Sequence, residues 1–234
     1  MVMKKGFWII LCMFFIPLVT FAGNMKLHYD RPAEYFEEAL VIGNGTMGAT
    51  LYGGVKKDKI SFNDITLWTG EPESENSSPD AFNVIPEIRA LLDNEDYEGA
   101  DKAQYKVQGH YSENYQPLGT LTIEYLDDTA GISDYHRWLD IGNATARTQY
   151  LKDGKLFTSD YFASAPDSVI VIRLKSENKE GIHALLSFDS PLPHSSQVAD
   201  NEISVEGYAA YHSFPVYYKA EDKHRYDPER GIHF

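Results

Sequence analysis

The chain has 234 residues, of which 43% are hydrophobic and 24% charged, a composition that suits a globular protein with room for one large domain or two small ones. A formal net charge of −14 leaves no broad basic face for a phosphate backbone, so no nucleic-acid partner is expected. The single cysteine, Cys12, falls inside an N-terminal apolar run, and without that run there is no thiol for a disulfide, a thiolate metal site or a Cys nucleophile.

That run comes first. Lys4 and Lys5 form a basic start, residues 7–19 are apolar, and Thr20, Phe21 and Ala22 place small residues where a signal peptidase reads. The pattern predicts a signal peptide over 1–22, cleaved after Ala22, with export to the periplasm or the extracellular space and no membrane span afterwards. The competing reading, an uncleaved anchor, needs about 20 apolar residues to cross a bilayer. A single domain over 23–234 is expected to follow.

Residues 29–32 read as a turn, and 35–40 as a strand or one helical turn. The organising stretch is 43–72, GNGTMGATLYGGVKKDKISFNDITLWTGEP. Small and apolar residues alternate over 47–52, Gly53 and Gly54 supply a turn, and 60–63 returns as a second strand, so a β-hairpin is predicted. Gly43, Gly45 and Gly48 let the entering backbone turn tightly or approach a neighbour. Trp68 is then carried into a Gly/Pro loop, and 73–80 is polar and turn-rich.

Ile85, Ile88, Leu91 and Leu92 recur at helical spacing, with Pro86 suited to a first turn, and Asp96 caps a second run starting at Tyr97. This predicts an inserted helical hairpin lying over a sheet. From Gly119 the period switches to two. Strands are predicted over 119–125, 135–141, 145–151, 155–163, 168–174, 183–188, 202–205 and 215–219, with a tight turn at Asp153 and Gly154. The β-branched run 168–174 predicts a strand covered on both faces. Ile232, His233 and Phe234 read as the first residues of a strand with an open edge, hence a C-terminally incomplete sheet. The fold class expected is mainly β, a large antiparallel β-sandwich with a short helical insertion.

Candidate chemistry is sparse. The glycine turn at 43–48 lacks the spacing of a phosphate-binding loop and precedes a strand. Trp68 reads either as a platform for a sugar ring or as a core aromatic, and Trp138, inside a strand, as core. Asp64, Glu71, Asp127, Asp128 and Asp140 show no spacing that marks the two carboxylates of a glycosidase. The eight histidines form no H-E-x-x-H motif, and His110, His194 and His212 read as surface or loop residues. No metal or cofactor is expected.

Four segments read together carry a resemblance: EALVIGNGTMGA at 38–49, NDITLWTGEP at 63–72, YQPLGTL at 115–121 and YFASAPD at 161–167. With EIRALL at 87–92 and YEGA at 97–100, they closely resemble the N-terminal domain of glycoside hydrolase family 95, mainly secreted α-L-fucosidases, from about Leu27 to the last residue. The resemblance implies a super-sandwich that precedes a helical linker and an (α/α)6 barrel in an inverting hydrolase. It places the catalytic residues in the barrel, so none is assigned to this chain. It implies as partners a fucosylated oligosaccharide or glycan and the catalytic barrel itself. By analogy, the loops around Asn44, Trp68 and Gln116 form a substrate lip or brace a domain contact. The rival reading is a carbohydrate-binding or structural module without hydrolytic activity.

Overall fold

The computed structural model describes residues 25–72, 80–109 and 112–234. The expected signal segment, most of the polar loop at 73–80, and His110 lie outside the described residues.

Two antiparallel five-stranded sheets face each other. The first runs β1 (Lys26–Tyr29), β6 (Ile132–Asp140), β7 (Thr145–Lys152), β8 (Lys155–Ser164), β9 (Val169–Ser176). The second runs β10 (Ala184–Asp189), β5 (Gly119–Tyr125), β4 (Lys57–Asp64), β3 (Met47–Leu51), β2 (Leu40–Gly43). The mainly antiparallel sandwich expected from the two-residue period is therefore present. Two short ribbons follow, β11 (His194–Ala199) with β12 (Glu202–Gly207) and β13 (His212–Ser213) with β14 (His224–Arg225).

Alternation decides what is inside. Leu40, Ile42, Ala49, Leu51, Ile60 and Ile123 come inward from the second sheet and meet Ala146, Tyr150, Phe157 and Tyr161 from the first. Tyr150 stacks on Phe157 at 4.8 Å, and Phe157 meets the edge of Tyr125 at 5.2 Å, so the aromatics bridge the two layers. Each large apolar side chain buried this way contributes about 1.5–3 kcal/mol. A second cluster, Leu67, Leu192 and Ala209 with Leu118 and Phe234, seats the C-terminal segment.

Turn chemistry sets the register. Asp153 (φ 50) and Gly154 (φ 73) form a two-residue turn between Lys152 and Lys155, the left-handed pair that matches strand twist.

Several expectations are corrected. The helix α1 (Ala81–Asp93) begins before Pro86, which sits inside it and deprives the Phe82 carbonyl of its partner. Asp96 does cap α2 (Tyr97–Gln104), accepting from Gly99 N at 2.9 Å, but the hairpin packs chiefly on itself and not over a sheet. Strand β9 is an edge strand; Ile170, Ile172 and Leu174 face the core while Arg173 and Lys175 point out, so it is not covered on both faces. Residues 215–219 make a turn closed by Tyr218 N on Pro215 O at 2.9 Å, because Pro215 opens it and cannot donate to a ladder. The edge expected to be open at 232–234 is paired: Ala209 N donates to Ile232 O at 2.8 Å, and Gly207 and Phe234 exchange bonds of 3.1 and 3.0 Å. Trp138 lies half-buried on the outer face of the first sheet instead of in the core.

Candidate functional site

At the end of β4 the chain must leave the sheet, and Asp64 turns it by accepting from Thr66 N at 2.8 Å. Ile65 N then donates to Thr46 O at 2.8 Å, holding the exit against the β2–β3 turn. Leu67 is 1% exposed and anchors the loop in the second cluster. Its neighbour Trp68 is thereby pushed outward, 44% exposed, with Nε1 donating to Ile65 O at 3.0 Å.

The chain returning from the helices pairs with this loop. Trp68 and Tyr115 form an antiparallel bridge, and their rings meet edge to face at 5.8 Å. Gln116 N donates to Leu67 O at 2.9 Å, and its buried side-chain amide donates to Tyr115 O at 3.3 Å. Asn44 acts differently. Its Oδ1 accepts from Thr46 N at 3.0 Å and Met47 N at 2.8 Å, while Nδ2 donates to Ser164 O at 2.9 Å. It closes the β2–β3 turn and ties the second sheet to the end of β8.

Of the three residues singled out in the sequence, Trp68 and Gln116 are thus brought together, and Asn44 stands on the adjoining turn with its polar atoms occupied. Between that turn and Tyr115 lies an open, mostly apolar depression of about 380 Å³, with Val41, Met47, Asn63 and Ile65 in its lining. Asn63 Oδ1 is buried and has no hydrogen-bond partner among the described residues. Such an acceptor ordinarily costs about 1–3 kcal/mol unless something fills it.

Behind the rim is a polar knot that no sequence pattern announces. Glu113 accepts from Ser213 N at 3.0 Å, from His212 Nδ1 at 2.8 Å and from the Thr69 hydroxyl. Asn114 adds bonds to Thr69 Oγ1 at 2.8 Å and Ser213 O at 3.1 Å. Gly70 (φ +110) has no room for a side chain, since a Cβ there would lie 2.7 Å from Glu113 Cγ. Arg230 grips Glu71 and lies 3.7 Å over the Tyr211 ring. The hydrogen bond from Arg230 holds the Glu71 carboxyl below its usual range. His212, expected on the surface, is part of this clamp between rim and C-terminal segment.

The carboxylates noted in the sequence are each held locally: Asp64 by its turn, Glu71 by Arg230, Asp128 by Lys152, Asp140 by Asn143, and Asp127 faces His183. Asp58, which the sequence did not single out, is 1% exposed between the sheets. Burial raises its pKa, while a 2.7 Å bond from Tyr161 Oη and a 2.9 Å bond from Gly54 N oppose that rise. Among the described residues no group of three or more His, Asp or Glu could hold a metal ion, and no helix is long and apolar enough to cross a membrane.

A family model described as glycosyl hydrolase family 65, N-terminal domain, matches residues 27–233. The chain belongs to that family. This family 65 N-terminal domain is 31% identical over 217 residues to α-L-fucosidase 2 of Arabidopsis thaliana, covering 90% of the chain and 26% of the relative. It is 30% identical over 179 residues to a probable α-fucosidase A of Aspergillus niger, covering 72% of the chain and 22% of the relative. The corresponding protein of Aspergillus oryzae is 27% identical over 145 residues, 59% of the chain and 20% of the relative. The domain therefore spans about a quarter of the length of the curated relatives it matches. The resemblance to α-L-fucosidases expected from the sequence agrees with the names of these relatives, and the family match runs from residue 27 as expected.

Proposed function

We propose that this domain is the N-terminal sandwich of an exported α-L-fucosidase-like glycoside hydrolase, which removes terminal fucose from glycans when joined to a catalytic barrel. The observation that carries the reading is the match along 90% of the chain to a protein named α-L-fucosidase 2. In this reading the sandwich is a scaffold and holds no acid or base of the reaction.

The rim is the part that meets the barrel or the sugar. Ile65, Trp68 and Tyr115 are exposed side by side. An exposed apolar shelf suits a docked surface better than open water. Trp68 and the Gln116 loop form the lip, and Asn44 holds the turn beside it.

The test replaces the corresponding N-terminal portion of the Arabidopsis relative by this domain and follows hydrolysis of an aryl α-L-fucoside. Turnover is expected, and Trp68→Ala should lower kcat/KM while leaving the melting midpoint of the sandwich in place. A folded chimera without fucoside turnover would refute the activity class. An unchanged kcat/KM in the Trp68→Ala chimera would remove the rim from the site.

A further inference from the structure

The outer face of the first sheet carries a second constellation, distinct from the rim. Register places His28, Trp138, Arg147, Asp160 and Arg173 in one row across five strands. Two positions along, Lys26, Asp140, Thr145, Phe162 and Val171 form the next row. Because side chains alternate, both rows point away from the core, where Ala146, Thr148 and Tyr161 are buried. All residues of the two rows but His28 line a surface depression of about 630 Å³.

Its chemistry is specific. Lys26 and Arg147 stand 5.9 and 5.7 Å from the Trp138 ring centre, whereas Arg137 over Tyr29 and Arg230 over Tyr211 sit at 4.2 and 3.7 Å. Both cations thus stand over the indole at a longer range than those two pairs. Asp160 is shared by two guanidinium groups, Arg147 through Nε and Arg173 through Nε and Nη2 at 3.1 and 2.7 Å. Those bonds outweigh the cost of partial burial and hold the Asp160 carboxyl below its usual range.

Arg147 reaches Asp160 through Nε, and Arg173 reaches the other carboxylate oxygen. Lys26 pairs with Asp140 at 3.4 Å, so three cations face two carboxylates and one guanidinium charge is left over. An aromatic plate beside planar guanidinium groups and one spare positive charge fits a pyranose ring that carries a carboxylate. The net charge of −14 belongs to the whole chain and is screened beyond about 8 Å at physiological salt.

We propose that this sheet face is a binding site for an acidic saccharide, a uronosyl residue lying against Trp138 with its carboxylate on Arg147 and Arg173. The site stands apart from the rim, and its success or failure leaves the fucosidase reading untouched.

The experiment titrates the full ¹⁵N-labelled chain with digalacturonic acid and follows the Trp138 indole N–H resonance, assigned through Trp138→Phe. A saturable shift is expected at about millimolar concentration, with Trp68 unmoved. Arg173→Gln, on an exposed edge strand that tolerates the change, should weaken binding roughly tenfold, the loss of one charge-assisted contact. Three results would overturn the proposal: no shift, an equal shift with the neutral trisaccharide 2′-fucosyllactose, or an equal shift with inorganic phosphate, which would mark a simple anion site.

Discussion

Tyr161→Phe removes one hydroxyl from the centre of the sandwich and leaves the ring in place. Tyr161 and Asp58 are each 1% exposed, and the hydroxyl donates to Asp58 Oδ2 at 2.7 Å. A hydrogen bond to a charged group is worth about 1.5–3 kcal/mol, and a neutral one about 1 kcal/mol. The loss therefore depends on whether Asp58 is ionised. Burial lifts the Asp58 pKa above its ordinary 3.8, so the stabilising effect of the proton is complete below that value and is lost as pH rises through the raised folded pKa. The Tyr161 bond favours the ionised carboxylate and softens that loss. Tyr125, Tyr135 and Tyr150, the aromatic acids around it, are pushed by burial above their ordinary 10.0 and stay neutral across the working range. Urea unfolding across a pH series that starts below 3.8 is the assay, followed by fluorescence. Tyr161→Phe should cost about 1 kcal/mol where Asp58 is protonated and about 2–3 kcal/mol where it is charged, giving a steeper fall of stability with pH than the parent. A loss that stays the same across the whole series, or below about 0.5 kcal/mol throughout it, would refute the reasoning.

Gly53→Ala should destabilise the fold by about 2–4 kcal/mol, read as a fall in the calorimetric midpoint. Its φ of +70 disfavours a side chain, and a Cβ would sit 2.6 Å from Tyr135 Oη and 2.8 Å from Thr148 Oγ1, displacing the Tyr135 bond to Gly53 O. Asn44→Ala should cost about 1–2 kcal/mol and speed amide exchange at Met47, since one side chain serves two turn amides and Ser164 O. Asn44→Asp should recover the amide protection at Met47 but not the full stability, because the donor to Ser164 is gone.

Most of the sandwich was legible because its signals are local. The Asp153–Gly154 turn, the alternation of β5 and β7, and the Asp96 cap each state their geometry within a few residues. Misreadings arose where tertiary placement overrides a local rule. A β-branched run such as β9 predicts burial on both faces, yet strand order puts it at an edge and turns every second residue to water. Trp138 reads as core by size, but its position in β6 directs it outward, where Arg137 takes the inner place at 1% exposure. That arginine is satisfied by the carbonyls of Arg31 and Glu38, each at 2.8 Å, partners about a hundred residues away that no spacing reveals.

The candidate site shows the same division and explains why it cannot be reduced to its motifs. NDITLWTGEP and YQPLGTL are visible as strings, and the structure pairs them through Trp68 and Tyr115. What holds the pair rigid is Glu113, whose bonds to Thr69, His212 and Ser213 reach 44, 99 and 100 residues along the chain. Closing such long loops costs entropy that a single exposed contact does not repay. The cost is met by the knot together with Leu67, Leu192 and Ala209, buried beside it. Trp68 can therefore remain exposed without loosening the rim, because the loop is fixed by the residues on either side of the tryptophan.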